Sequence, residues 1–368
     1  MYNVAIIGCG RISHKIAEGI AKNSDRMKLL VLCDPIEQKM FETEKTYNKK
    51  MESEVSLLKY KDYKEILKQN KIDIAIISTE SGYHEEIGLY FLENGVNLII
   101  EKPLAMSIEG AQKLVDTAKK NNLKLAASHQ NRFNYPIQLL KKTIKENRLG
   151  KIFNGMARIL WTRDDSYYLQ APWRGTWALD GGTLMNQCIH NIDLINWMMD
   201  DEIDTVYSQT SNYIRNIEAE DYGVIVIRYK SGKIATIEGS AVIYPKNLEE
   251  TLTITGEKGT VVIGGMAVNK INTWRVEEDN EEEYLSIDCG DPNSVYGYGH
   301  EALYKDFLDA LDENREPLVN GLAGLEVVKI ILAAYKSQKT GLPVKFNEFK
   351  EFSTLDMKNI DLKKTVSK

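Results

Sequence analysis

Val4-Ala5-Ile6-Ile7-Gly8-Cys9-Gly10-Arg11-Ile12-Ser13 opens the chain, and Val31-Leu32-Cys33-Asp34 follows it. An apolar run, a Gly-x-Gly-x-x-Ser turn and a second apolar run ending in an acid predict a strand, a phosphate-binding turn, a helix and a second strand. Gly8 allows the tight turn out of the first strand. Gly10 lets the backbone approach a pyrophosphate, whose charge then meets the N-terminus of the next helix. Arg11 and Ile12 complete the expected cofactor turn. Ser13 replaces the usual third Gly or Ala and is small enough to keep helix and strand close. Asp34 lies 21 residues after Ser13, where an acid accepts hydrogen bonds from both ribose hydroxyls. Its charge repels a 2′-phosphate, and Pro35 rather than Arg follows it, which predicts NAD over NADP. The alternative reading is a glycine-rich turn in some other α/β protein.

The bulk numbers bound the rest. At 368 residues the chain is long for one core and suits two domains. With 43% hydrophobic and 27% charged residues it has the composition of an ordinary globular protein. A net charge of −6 leaves no basic footprint for nucleic acid. Four scattered cysteines without Cys-x-x-Cys spacing read as reduced thiols of a cytoplasmic protein, and no metal site is expected. No signal peptide is expected, since the chain starts directly with a strand. No apolar run approaches the roughly 20 residues of a membrane span. The acidic stretch 277–284 reads as a solvated hairpin.

Strand and helix signals alternate through residue 127. Apolar runs at 4–7, 29–33, 72–77, 96–100 and 123–127 are separated by helical stretches at 11–22, 35–47, 62–69, 83–93 and 107–121. This predicts a doubly wound parallel sheet, whose ligands sit at the carboxyl ends of the strands. Asp34, Ser78-Thr79, Glu101-Lys102 and Ser128-His129-Gln130 fall at those ends. A helix at 135–147 follows. Longer alternating runs at 152–161, 203–214, 221–230, 234–243 and 250–255 then predict a large, mostly antiparallel sheet. Helices are expected at 183–199, 300–313 and 321–337. The expected domains are 1–127, 128–352 and a polar tail at 353–368.

Three segments carry chemistry. Glu101-Lys102-Pro103 ends the fifth strand and turns a lysine toward the ligand crevice. There the ammonium orients or protonates a substrate oxygen, unless it is an ordinary surface lysine. In Gly181-Gly182-Thr183-Leu184-Met185-Asn186-Gln187-Cys188-Ile189-His190-Asn191-Ile192-Asp193 a glycine turn enters a helix. Asn186, His190 and Asp193 are spaced i, i+4, i+7 and share one face of it. His190 suits proton transfer near neutral pH, with Asp193 orienting its ring or capping another group. The alternative is a core histidine. The stretch 158–177 holds Trp161, Arg163, Tyr167, Tyr168, Trp173, Arg174 and Trp177, three of the chain's five tryptophans. Aromatic faces stack on sugars or bases, and Arg pairs with carboxylate or phosphate, but Trp and Arg also mark subunit interfaces.

In this order the pieces resemble the glucose-fructose oxidoreductase/inositol dehydrogenase (Gfo/Idh/MocA) family over nearly the full length. The carriers are Gly8-Cys9-Gly10, Asp34, Ser78-Thr79-Glu80 with His84, Glu101-Lys102-Pro103-Leu104, and Gly181-Gly182 through His190 and Asp193. The resemblance implies a Rossmann domain followed by an α+β domain whose open sheet mediates dimers or tetramers. It implies Lys102 and His190 as catalytic residues. Where many members carry Asp four residues before the catalytic His, this chain has Asn186. An amide cannot act as a base, so His190 remains the candidate base and Asn186 a substrate-binding residue.

A narrower resemblance links His129-Gln130-Asn131-Arg132-Phe133-Asn134, the 171–182 stretch and Asn186-Gln187 to bacterial UDP-N-acetyl-2-amino-2-deoxyglucuronate dehydrogenases. It implies cofactor contacts at Ser78, Thr79, His84, Glu101, Lys102, Gln130, Trp161 and Arg163. It implies substrate contacts at Lys102, Arg132, Tyr168, Trp173, Arg174, Asn186, Gln187 and His190. The function expected is NAD-dependent oxidation of a secondary hydroxyl, at C3, of a UDP-linked amino-sugar uronic acid. The alternatives are a dehydrogenase of a free polyol such as inositol and a non-catalytic NAD-binding protein.

Overall fold

The computed structural model describes residues 1–290 and 297–362. Two compact units form, Met1–His129 with His300–Leu325 and Gln130–Gly299 with Glu326–Lys368.

In the first unit the elements run β1 (Tyr2–Ile7), α1 (Ser13–Lys22), β2 (Met27–Cys33), α2 (Glu37–Met51), β3 (Leu58–Tyr60), α3 (Ile66–Gln69), β4 (Ile74–Ile77), α4 (His84–Glu93), β5 (Asn97–Ile100), α5 (Ile108–Lys120) and β6 (Leu125–Ala127). The six strands are ordered β3-β2-β1-β4-β5-β6 and all pair in parallel. Parallel strands covered on both faces need continuous apolar runs, and Val4 to Ile7 and Ile74 to Ile77 are almost fully buried. Chain direction switches sides between β1 and β4, which opens the ligand crevice at their carboxyl ends. Gly8, Asp34, Ser78, Glu101 and Ser128 follow the five central and edge strands there.

The second unit begins with α6 (Tyr135–Lys145), β7 (Ile152–Leu160), α7 (Asp165–Leu169), α8 (Thr183–Asn186) and α9 (Ile189–Met199). Strands β8 (Ile203–Ser211), β9 (Tyr222–Tyr229), β10 (Ile234–Ser240), β11 (Glu249–Gly256), β12 (Gly259–Gly264) and β13 (Lys270–Val276) follow, then α10 (Glu281–Leu285). Later in the chain come α11 (Gly299–Asp312), which lies in the first unit from His300 on, then α12 (Gly321–Thr340) and β14 (Val344–Lys345). The eight strands lie in the order β13-β12-β11-β7-β10-β9-β8-β14, antiparallel except for the β7–β10 pair. Helices α8 and α9 cover one face. The approach is close because Gly239 on β10 has no side chain; a Cβ there would lie 2.4 Å from Cys188 Sγ.

Several expectations need correction. The helix expected over 183–199 is interrupted at Gln187–Cys188, where Cys188 N–H reaches back to Thr183 O at 3.0 Å. Strands β3, β12 and β13 were not expected. The acidic stretch 277–284 is not a solvated hairpin. Asn280 caps helix α10, Tyr284 stacks on Trp274 at 4.4 Å, and Asp279 accepts from Trp274 Nε1 at 2.8 Å.

The end of the chain also departs from expectation. Segment 300–325 belongs to the first unit, although a single cut at 127/128 assigns it to the second. It is tied there by Arg26 to Asp309 and Asp312 at 2.6 and 2.7 Å, and by Val319 O accepting from Ala127 N. Residues 353–362 are anchored through Thr354, Met357 and Leu362, which are buried, whereas 363–368 lie outside the described residues. A Ser353–Asp356 capping box starts a short turn, Thr354 Oγ1 donates to Trp177 O at 2.5 Å, and Met357 is fully buried.

Met357→Ala is expected to lower the unfolding free energy by about 2–5 kcal/mol, the range for a truncated core methionine. An unchanged urea midpoint would mean that the segment is the loose polar tail its composition suggests.

Candidate active site

The first unit builds a dinucleotide cradle. Gly8 has φ +94°, and a Cβ on it would lie 2.6 Å from the backbone of Ser78 and Thr79. Only glycine fits both constraints. Ser78 Oγ donates to Gly8 O at 2.7 Å and fixes the two loops together. Beyond Gly10 there is open space, since nothing lies within 4 Å of the place a Cβ would take. Helix α1 starts behind it with no side-chain cap and no acid in its first turn, so no negative side chain offsets the positive end of its dipole, while the Ser13 and Lys15 amides turn back to Gly10 O at 3.1 Å and Ile12 O at 2.9 Å. Ile12 is the N-cap residue and Arg11 is exposed. The buried carboxylate of Asp34 accepts from Cys9 N at 2.9 Å and Ile36 N at 2.8 Å. Each oxygen keeps a further lone pair for a ribose hydroxyl. The residues present fit NAD.

Lys102 is half-buried at the end of β5, beside Glu101, which is buried. His84 lies beneath the neighbouring loops. Its Nδ1 is 2.7 Å from Pro103 O and its Nε2 is 3.2 Å from Thr79 O. Burial pushes its pKa down. The neutral ring has one N–H to give, and the shorter contact, Nδ1 to Pro103 O, is where it is donated, so His84 ties its own helix to the loop after β5.

In the second unit the expected shared face of Asn186, His190 and Asp193 is broken by the interruption between α8 and α9. Asn186 Nδ2 donates to Asp180 Oδ1, and Asn186 Oδ1 accepts from Gln187 Nε2 at 2.6 Å. His190 stands half-buried in the first turn of α9. Asp193 does not orient it. Its carboxylate is buried and takes a two-point ion pair from Arg132, at 2.8 Å from Nε and 2.6 Å from Nη2. The Arg132 guanidinium also lies 4.9 Å over the Trp197 ring. Arg132, expected to bind substrate, is therefore a core residue that ties the 3₁₀ turn Gln130–Phe133 to α9. Gln130 on the same turn is buried, and its carboxamide oxygen finds no hydrogen-bond partner among the described residues.

The aromatic and arginine residues form one network. Arg163 Nε donates to Gln187 Oε1 at 2.9 Å, and Gln187 Nε2 donates to Tyr167 OH at 3.0 Å. The same phenol accepts from Arg174 Nη1 at 2.6 Å. The Tyr167 ring has Arg163 at 5.3 Å and Arg174 at 4.3 Å from its centre. Trp161 and Trp173 stack on the two guanidiniums at 4.6 Å each. Tyr168 packs edge-on against Tyr167 at 5.1 Å. Trp177 stands apart, fully buried against Tyr335.

Two buried acids escaped sequence reasoning. Glu220 Oε1 accepts from Leu184 N at 2.8 Å and Tyr335 OH at 3.0 Å, which anchors the start of α8. Burial pushes its carboxyl up to about 8. Asp180 holds Gly175 N at 2.6 Å as well as Asn186. Glu220 sits in the polar loop before β9, where one acid among Glu218, Glu220 and Asp221 gives no signal of its own. Asp180 stands directly before Gly181-Gly182, where an acid entering a glycine turn was such a signal.

Removing Arg132 would leave the Asp193 charge buried and unpaired. Arg132→Ala is expected to cost about 3–5 kcal/mol of stability, read from a denaturant titration. A stability equal to the parent's with only a raised KM would return Arg132 to the substrate.

The comparisons with known proteins agree with this geometry. The pattern of the oxidoreductase family, NAD-binding Rossmann fold, matches residues 2–129, and that of the GFO/IDH/MocA C-terminal domain matches residues 137–262. The chain is similar to the WlbA dehydrogenase of Bordetella pertussis, solved with NADH and UDP-GlcNAcA. Identity is 32%, coverage 94% of this chain and 98% of that one, and the TM-score 0.81. The WlbA dehydrogenase of Chromobacterium violaceum, solved with the same two ligands, is 33% identical over 94% and 95% of the two chains, with a TM-score of 0.82. Myo-inositol 2-dehydrogenase of Thermotoga maritima is 24% identical over 94% of this chain and 98% of its own. The chain belongs to the Gfo/Idh/MocA family of NAD-dependent oxidoreductases.

Proposed function

We propose that the protein oxidises a secondary hydroxyl, the one at C3, of a UDP-linked amino-sugar uronic acid. The observation that carries this reading is the Arg163–Gln187–Tyr167–Arg174 network. Two guanidiniums are fixed there in a frame of aromatic rings and joined through Gln187 to Asn186. A substrate with a carboxylate and a diphosphate has the anions such groups recognise, and a base or sugar face that stacks on the rings. The two WlbA relatives, each solved with UDP-GlcNAcA, support the same substrate class. Oxidation of a free cyclitol is the second reading, favoured by the Thermotoga maritima relative. A cyclitol is uncharged and leaves the two arginines without a role in binding.

The chemistry divides between named residues. NAD, when bound by the Gly8–Ser13 turn and Asp34, supplies the hydride acceptor. His190 takes the proton that the substrate hydroxyl loses. The Lys102 ammonium donates a hydrogen bond to the same oxygen as it becomes a ketone. Asn186 is committed to Asp180 and Gln187 and holds the substrate's surroundings in place rather than moving a proton.

A second copy of the chain is the proposed partner. Met156, Thr236 and Val226 lie side by side on the uncovered face of the large sheet, and Met156 and Val226 are 43% and 37% exposed. Among the described residues no helix is long and apolar enough to cross a membrane.

Lys102→Ala and His190→Ala are each expected to lower NADH formation from UDP-GlcNAcA by about 10²–10⁴-fold, the span of lost general acid–base catalysis. NAD binding, followed by calorimetry, should persist in both. Undiminished turnover in the two variants would contradict the assignment.

A further inference from the structure

The loop between β8 and β9 breaks an ordinary rule of burial. Ile214 is 62% exposed, whereas the side chain of its neighbour Arg215 is only 13% exposed. A cation drawn in while an isoleucine is left out costs free energy twice and needs a reason. The loop holds that arrangement firmly. The Asp221 carboxylate accepts from the amides of Tyr213, Ile214 and Arg215 at 2.8, 2.9 and 2.9 Å. Buried Asn212 donates across the loop to Ile217 O at 2.9 Å and Ala219 O at 2.8 Å.

The side chain held there is poorly satisfied. A guanidinium has five N–H donors. Arg215 Nη2 has Ala241 O at 3.3 Å, and Nη1 stands 3.8 Å from Asp165 on α7, beyond hydrogen-bond reach. Asp165 is itself 71% exposed, so the ion pair is a weak one. The Nε–H is buried and has no partner among the described residues, and Arg174 has the same defect at its own Nε. The arginines belong to one place in the fold. Ala241 O accepts from Arg163 N at 2.9 Å as well as from Arg215. Gly175 O, next to Arg174, accepts from Glu218 N and Ala219 N at 3.1 Å each. A Cβ on Gly175 would lie 2.5 Å from Ile217, so the two segments are in contact. Arg215 thus stands at the edge of the Arg163–Tyr167–Arg174 network, and α7 serves both, through Asp165 and Tyr167.

We propose that Arg215 is a third substrate-binding arginine, which takes an oxyanion of the substrate, phosphoryl or carboxylate, beside Arg163 and Arg174. That role rests on the substrate being a nucleotide-linked uronic acid. Such a molecule carries one negative charge on each phosphoryl group and one on the carboxylate, and three guanidiniums match three charges. An oxyanion offers the acceptors that the loop withholds from Arg215. Asp165 holds the guanidinium loosely until the substrate displaces it. No proton or hydride passes through Arg215. It decides which substrates stay, and an uncharged cyclitol gains nothing from it.

Calorimetry on the NADH-loaded full chain tests this, with UDP-GlcNAcA and UDP as ligands. Arg215→Ala is expected to weaken UDP-GlcNAcA binding by about 10–100-fold, the loss of a charge-assisted contact. Arg215→Gln keeps a donor for Ala241 O and removes the charge, so it should lose as much, and it decides where Arg215→Ala does not fold. Asp165→Asn leaves Arg215 in place without its loose partner and should bind UDP-GlcNAcA at least as tightly as the parent. UDP separates the two anions. UDP weakened in step assigns Arg215 to the diphosphate, and UDP unchanged assigns it to the carboxylate. Parental affinity for UDP-GlcNAcA in the folded Arg215 variants overturns this role alone and leaves Arg215 a staple of its loop. A loss in Asp165→Asn as large as that in the Arg215 variants overturns it too, since the ion pair would then be what matters. A parent that takes NADH but not UDP-GlcNAcA overturns the substrate reading itself, and this role with it.

Discussion

A carboxylate taken out of water must be met by donors or a cation, and loops in each of the two units are shaped by that constraint. Asp34 is met by two backbone amides and so stands fixed where a ribose arrives. Asp221 gathers the amides of Tyr213, Ile214 and Arg215 and curls that loop around itself. Glu220 and Asp180 hold the two ends of the glycine turn that leads into α8. Asp193 takes a whole guanidinium and locks the helix that carries His190. Each acid gives up mobility to satisfy its charge, and the chain around it is rigid where chemistry needs a fixed distance.

The same constraint separates what was legible in the sequence from what was not. Buried parallel strands announce themselves as unbroken apolar runs, so β1, β2, β4, β5 and β6 could be read along the chain. Strand β3 could not, because it has three residues and its Leu58 is exposed. Strands β12 and β13 follow a Gly-rich turn that hid their alternation. The Gly8–Ser13 turn and Asp34 are local, and their geometry follows from spacing alone. Arg132 and Asp193 are 61 residues apart, and no local signal tells an arginine that meets a substrate from one that meets a buried acid. The return of 300–325 to the first unit has no mark in composition either.

Helical spacing misled at one instructive place. Asn186, His190 and Asp193 fall on one face of an ideal helix, yet the helix breaks where Cys188 meets Gly239. The break turns Asn186 toward Asp180 and Gln187, and so into the arginine and tyrosine network. A base four residues before His190 is therefore replaced by an amide that serves as a strut. In the proposed mechanism this leaves His190 as the proton acceptor on that helix.

The central claim is that the protein is a dehydrogenase of a charged, nucleotide-linked sugar. A single-turnover experiment with near-stoichiometric enzyme and NAD, followed by reduced-nicotinamide absorbance, tests it most directly. UDP-GlcNAcA is predicted to give NADH in proportion to enzyme, while myo-inositol and free glucuronate give none. NADH from myo-inositol and none from UDP-GlcNAcA, with NAD binding verified in the same sample, would contradict it.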